Sequence, residues 1–210
     1  MNGAHPDPPG RDSIDGAPLA VVIPVKSFAE AKGRLADSLT SEERRALAQR
    51  MAEGVIAAAR PLPTWVVCHD HDIARWAMGQ GARVLWRSSP GLNRAITAAV
   101  DTLGGLGIGT VIIAHGDLPL ARTLAWVGEF DGVTIVPDRR GQGTNVMAVP
   151  TGTGFTFAYG VGSAPLHRAE AEQRGLAVRV IDDEALGWDV DVAADLDVFA
   201  DGGGGRLTVS

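Results

Sequence analysis

The sequence predicts the α/β class, with a sheet covered on both faces, and three observations carry that prediction. Short unbroken apolar runs such as Leu19 to Ile23, Trp65 to Cys68 and Val111 to Ile113 have the make-up of strands buried from both sides. Stretches of helical periodicity alternate with these runs in βαβα order. Several of the runs break off into loops rich in Gly, Pro, Asp or Lys, at the strand ends where open α/β sheets bind their ligands.

A chain of 210 residues suffices for one sizeable folding unit. Residues 19 to 200 are expected to form it. The Pro-, Gly- and Asp-rich stretch 1 to 18 reads as a disordered leader, and 201 to 210, with four glycines in a row, as a disordered tail. The net charge is −6 and no block of Lys or Arg is present, which argues against nucleic acid and for a small-molecule ligand. A single cysteine, Cys68, excludes an internal disulfide framework and lies in an apolar run, where an inert thiol is expected. With no signal-peptide pattern and no apolar run of membrane-spanning length, the protein is expected to be soluble, cytoplasmic and free of membranes. The sequence leaves open whether it acts alone or as a homodimer.

Leu19 to Ile23 forms the first strand and runs into Pro24-Val25-Lys26, followed by Lys32-Gly33-Arg34-Leu35, so three cations follow one strand end. Thr40 and Glu43 make a capping box, opening a helix to about Ala59 that Pro61 and Pro63 terminate. Trp65 to Cys68, His71 to Gln80 and Arg83 to Trp86 read as strand, helix and strand. His69 and His71 lie near Asp70 and Asp72, but no further His or Cys is placed to complete a zinc site. Ser88 to Leu92 is a turn, and Asn93 can begin a helix through Leu103. Gly104 to Gly109 mimics a dinucleotide fingerprint but precedes its strand, so it is read as a connection.

The strand Val111 to Ala114 delivers Asp117, within Gly116-Asp117-Leu118-Pro119, to the sheet edge, where a carboxylate suits a divalent cation. The alternative is a turn Asp, or a cap for a helix expected near Thr123 to Phe130. After the strand Val133 to Val136, residues 137 to 145 form either a loop whose glycines admit an anion, with the Thr144 hydroxyl added, or a plain hairpin turn. Gly160-Val161-Gly162-Ser163 leads into a helix to Arg174, with Ser163 as the expected N-cap. Helix amides and dipole there suit a phosphate, and His167, one turn in, either joins them or is simply exposed. A last strand, Ala177 to Ile181, precedes Asp189-Val190-Asp191-Val192-Ala193-Ala194-Asp195, in which Asp195 and Asp197 are expected to face solvent.

Together these loops resemble one family. Pro24-Val25-Lys26, Lys32-Gly33-Arg34-Leu35, Gly91-Leu92-Asn93 with Ile96, Gly116-Asp117-Leu118-Pro119, Asp138-Arg139 through Gly143-Thr144-Asn145, Gly160 with Gly162-Ser163 and His167, and Asp189-Val190-Asp191 with Asp195-Leu196 are similar, in order, to the guanylyltransferases of coenzyme F-420 biosynthesis. These enzymes act on 2-phospho-L-lactate or phosphoenolpyruvate. The resemblance implies a three-layer α/β/α fold of nucleotidyltransferase (nucleotide-diphospho-sugar transferase) type, with a mostly parallel mixed sheet. It further implies GTP, Mg²⁺ and a small phosphorylated three-carbon acid as partners. By the same resemblance Lys26, Arg34 and Asp117 are catalytic, and Pro24, Lys26, Lys32, Asn93 and Gly116 bind the nucleotide. Thr144, Gly160, Ser163 and His167 would seat the acceptor, and Asp117 with Asp189 or Asp191 would hold the metal. Two features depart from the pattern: Val192-Ala193 stands where relatives often carry Thr-Pro, and the nucleotide loop relies on cations instead of glycines. Another nucleotidyltransferase, or a nucleotide-binding module without turnover, remains the alternative.

Overall fold

A computed structural model describes residues 18–87 and 91–199. Residues 1 to 17 of the expected leader, the expected tail, and Ser88 to Pro90 of the expected turn lie outside them; Pro18, the last residue of the expected leader, is described, and its carbonyl accepts from Thr110 N at 2.9 Å.

Seven strands and four helices follow one another as β1 (Leu19–Pro24), α1 (Ser41–Ala58), β2 (Thr64–Cys68), α2 (His71–Gly79), β3 (Arg83–Trp86), α3 (Leu92–Gly105), β4 (Thr110–Ala114), β5 (Val133–Pro137), β6 (Thr144–Pro150), α4 (Ser163–Gln173) and β7 (Val178–Val180). The strands form a single sheet in the order β3-β2-β1-β4-β6-β5-β7. All pairings are parallel except those of β6, which runs against both β4 and β5.

Alternation along the strands divides the core. Val21, Ile23, Val66 and Ile112 face a layer holding α1 and α2, whereas Ala20, Val22, Val67 and Ile113 face one holding α3 and α4. That is the three-layer arrangement. The inner strands β1, β2, β4 and β5 are buried at successive positions because neither face meets water, whereas the edge strands β3 and β7 are only partly covered and carry Arg83 and Arg179. Thr40 caps α1 as expected, its hydroxyl accepting from Glu43 N while Glu43 answers at Thr40 N. The helix expected over Thr123 to Phe130 is instead a single 3₁₀ turn, Ala125–Gly128. A Cβ on Gly128 would come within 2.7 Å of Leu19 and 3.1 Å of Ile112, so this segment lies flat on β1 and β4. Gly104 and Gly105 fall in the last turn of α3 and do not belong to the connection.

The carboxyl ends of β1, β2, β3, β4 and β5 share one edge of the sheet with the amino end of β6, through the pairs Pro24↔Val67, Cys68↔Trp86, Ala114↔Val146 and Pro137↔Thr144. A small third cluster of Leu35, Leu47, Met51 and Val190 closes over this edge. It brings the loop after β1 and the segment after β7 side by side.

Candidate active site

Two carboxylates reach the site by alternation about a buried anchor. Val190 is fully buried in the third cluster, which leaves its neighbours Asp189 and Asp191 only partly covered. Asp117, three residues beyond β4, faces them across Lys32. The Lys32 ammonium lies 2.6 Å from Asp117 Oδ2 and 3.4 Å from Asp191 Oδ1, and Arg34 lies 3.6 Å from Asp191 Oδ2. Lys32 adopts φ +57°, uncommon for a residue with a Cβ. Such backbone strain persists where the surroundings fix it, here the ion pairs at the end of the side chain.

Charge is unevenly compensated in this cluster. Burial opposes ionisation of Asp117, but Lys32 and His115 outweigh it and hold the carboxyl below its ordinary range. Burial likewise works against the Lys32 charge, and the two aspartates reverse the balance and raise its pKa. Asp189 has no such partner; burial, Asp117 and Asp191 all push its pKa up. Asp117 Oδ1 is buried with no hydrogen-bond donor. Among the described residues no three ligating side chains are drawn into a metal shell, and Lys32 supplies the positive charge between Asp117 and Asp191. The donor set nonetheless fits a hard divalent cation: three carboxylates, one with an unpartnered oxygen and one short of countercharge.

Two cavities flank the cluster. One, of about 450 Å³, opens between the ends of β1 and β2 and the start of α3, walled by Pro24, Val25, Cys68, Leu92 and Ala95. The other, of about 260 Å³, is lined by Lys26, Phe28, Lys32, Gly116 and Asp117. Lys26 borders both, with its ammonium exposed and held only by a surface pair to Glu30 at 3.0 Å. Arg34 is equally exposed at the mouth. Burial pushes the Cys68 thiol up, in keeping with the expected inertness. Asn93 does not line either cavity: its amide accepts from Tyr159 N at 2.7 Å and donates to Tyr159 O at 3.3 Å. It ties α3 to the segment before α4.

The remaining expected residues gather around Thr144. His167 is fully buried, contrary to the exposed alternative, and its Nε2 accepts from Ala158 N at 2.9 Å. Burial depresses its pKa to about 4, so the ring is neutral at neutral pH and Nδ1 carries the proton. Nδ1 therefore donates to Thr144 Oγ1, 3.0 Å away. Ser163 Oγ lies 3.2 Å from the same oxygen. With Nδ1 and Ser163 both donating, the lone pairs of Thr144 are filled and its own proton is directed elsewhere. His167 has no ring nitrogen left for a ligand; it orients the hydroxyls instead.

Ser163 is not the N-cap. Gly162, at φ +72°, holds that position, and Ser163 is the first helical residue, with its side chain buried. The amides expected to receive an anion are engaged: Ser163 N with Gly160 O, Ala164 N with Gln142 O, while Pro165 has none. In the 138–143 loop the amides of Arg140 and Gln142 donate to the Asp138 carboxylate, and the loop is the plain hairpin between β5 and β6. Of the two hydroxyls on this side, Ser163 gives its proton to Thr144, and the Thr144 proton is the one directed elsewhere.

Two further features were not anticipated. His115 borders both cavities, and its ring lies 5.2 Å from that of Tyr159; His115 Nε2 and Tyr159 Oη are each buried without a partner. Asp195, expected in solvent, is 1% exposed and paired with Arg139. Burial opposes its charge, and the amides of Val192 and Asp191 together with Arg139 hold its pKa below the usual range.

Comparison with known proteins matches residues 19–208 to the family described as Guanylyl transferase CofC like. The phosphoenolpyruvate guanylyltransferase of Conexibacter woesei is 37% identical over 190 residues, 85% of each chain. That of Chloroflexus aggregans is 33% identical over 186 residues, 82% of this chain and 92% of the relative. Among solved structures, one described as a nucleotide-diphospho-sugar transferase from Desulfovibrio desulfuricans G20 superposes with a TM-score of 0.70 at 15% identity, covering 87% of this chain and 86% of that one. At that identity the likeness speaks to the fold.

Proposed function

Because the chain belongs to the CofC-like guanylyl transferase family, we propose that it transfers GMP from GTP to the phosphate of a three-carbon phospho-acid, releasing diphosphate, as a step of coenzyme F-420 biosynthesis. Phosphoenolpyruvate is the first acceptor to test, being named in both relatives above, and 2-phospho-L-lactate the second. The observation that carries this reading is the convergence of Asp117, Asp189 and Asp191 with Lys32 and Arg34, next to an apolar cavity large enough for a nucleoside.

The chemistry asks little of a general base. A phosphomonoester, with a second pKa of about 6, is largely dianionic near neutral pH and is already a nucleophile. One of its oxygens forms a bond to the α-phosphorus of GTP, the bond from that phosphorus to the bridging β-phosphate oxygen breaks, and diphosphate departs with the electron pair. The protein must align the two anions and offset their charge. Lys26 and Arg34, exposed at the mouth, would receive the departing diphosphate. Thr144 would hold the acceptor through a hydroxyl that His167 and Ser163 orient together. Asp117, with Asp189 or Asp191, would hold Mg²⁺, which when bound supplies Lewis-acid neutralisation at the reacting phosphate. Lys32, lying between Asp117 and Asp191, would offer its ammonium to the triphosphate.

The test is diphosphate release with GTP, ATP and CTP, each against phosphoenolpyruvate, 2-phospho-L-lactate and 3-phosphoglycerate. GTP with one of the first two acceptors should be fastest. Faster turnover with CTP or ATP would reassign the chain to another nucleotidyltransferase chemistry, and no diphosphate from any pair would leave a binding module.

A further inference from the structure

Asp195 is the most thoroughly engaged carboxylate in the described chain, and nothing it touches is a ligand. Its Oδ2 accepts from the amides of Asp191 at 2.6 Å and Val192 at 2.8 Å, and its Oδ1 receives the Arg139 guanidinium. Its own carbonyl accepts from Trp188 Nε1 at 3.3 Å. The Arg139 guanidinium lies 4.2 Å over the Trp188 ring, and its backbone N donates to Gly187 O at 2.9 Å. A buried carboxylate is costly unless its oxygens are satisfied by charge-assisted bonds, and here every partner belongs to one of two segments. The first, 187–192, carries Asp189 and Asp191. The second is the 138–143 hairpin that leads into Thr144.

We propose that Asp195 and Arg139 are positioning residues that lock the Asp189-Val190-Asp191 segment to the hairpin, fixing the cation-holding acids against the acceptor side of the site. The proposal rests on the reading that Asp189 or Asp191 holds a divalent cation. The contact to Asp191 N is the key: it fixes the backbone of a candidate ligand, while the buried Val190 fixes its neighbour. The Arg139 fork, stacked on Trp188, transmits the same constraint to the hairpin 56 residues away in sequence.

Mn²⁺ binding to the full-length chain, read from the electron paramagnetic resonance signal of the free ion, tests this without turnover. Asp195→Asn keeps one acceptor oxygen but loses the charge. It should raise the Mn²⁺ dissociation constant by about 10- to 100-fold, the usual cost of disturbing groups that orient metal ligands, with the circular dichroism spectrum unchanged. Arg139→Gln should produce most of the same rise, and the double variant should add little to either, since both act through one contact. A folded Asp195→Asn protein that binds Mn²⁺ within about twofold of wild type would overturn the proposal, as would fully additive effects. Should Asp195→Asn fail to fold, Arg139→Lys, which retains the charge but not the stacked fork, decides alone: Mn²⁺ affinity equal to wild type overturns the proposal and weaker affinity sustains it. A wild-type protein that binds no Mn²⁺ refutes the cation reading itself, and this inference with it. Wild type that binds Mn²⁺ alongside variants that bind it equally well refutes only the inference.

Discussion

His167 offers a prediction whose magnitude follows from its surroundings. Its pKa falls from 6.5 to about 4 because burial disfavours the charged ring. Protonation would also put a hydrogen on Nε2, where Ala158 N now donates. A histidine whose folded pKa is depressed contributes stability that is complete above the unfolded value and is lost as pH falls, since between the two values the unfolded chain binds the extra proton. Each unit of that window is worth about 1.4 kcal/mol, so from pH 6.5 down to 4 the loss approaches 3 kcal/mol. Other groups titrate in the same range, so the comparison must be differential. His167→Gln places an amide where an acceptor and a donor are both required, and it does not titrate. Urea unfolding of both proteins at half-unit steps from pH 7.5 to 4.5 should show wild type losing stability relative to the variant by about 1 kcal/mol per unit below pH 6.5, with no change above it. A difference that stays flat with pH, or moves in favour of wild type on acidification, would refute the buried neutral histidine.

The Asp117→Asn protein should remain folded, since an amide oxygen can still accept from Lys32, but diphosphate release should fall by several orders of magnitude; near wild-type turnover at low Mg²⁺ would remove Asp117 from the cation site. Ser163→Ala should raise the acceptor KM by about 3- to 10-fold through loss of the neutral hydrogen bond that orients the Thr144 hydroxyl, with GTP affinity unchanged; the opposite pattern would assign this loop to the nucleotide. Gly132→Ala should destabilise the fold by about 2–4 kcal/mol, measured by thermal melting. Its φ is +150° and a Cβ there would sit 2.4 Å from Ala177 O, the acceptor for Val133 N at the start of the β5 to β7 pairing.

Local signals were legible in the sequence and distant ones were not. Double burial marks a strand without reference to its neighbours, so the runs at Leu19, Trp65 and Val111 matched β1, β2 and β4 closely. The Thr40 and Glu43 box was readable for the same reason, being closed within four residues. The stretch Thr123 to Phe130 failed because Gly128 is set by contact with β1 and β4, and nothing local records that contact. Asp195 was placed in water because its counter-ion, Arg139, lies 56 residues away, although its amide partners Asp191 and Val192 are local. His167 looked like a surface residue of a polar helix, and the rings of Phe155, Phe157 and Tyr159 packed around it are brought there by the fold. Asp117 was legible from its place just past a strand end, and Asp189 and Asp191 were identified by resemblance; their meeting across Lys32 is a property of the folded chain alone.

Strand β6 has one consequence for how such a site can change. A parallel strand reaches the site with its last residue and then needs a helix to return, so altering what it presents disturbs a whole layer. β6 runs the other way and arrives with its first residue, Thr144, joined to the end of β5 by six residues. That makes the position of Thr144 depend on a short turn and not on a helical layer, and the turn is itself pinned, by Arg139 N to Gly187 O and by Ala164 N to Gln142 O, while the ladder from Val146 to Pro150 keeps its register with β4. A change within the turn is therefore felt at the 187–192 segment and at the start of α4, while β1, β2 and β4 keep their parallel pairing.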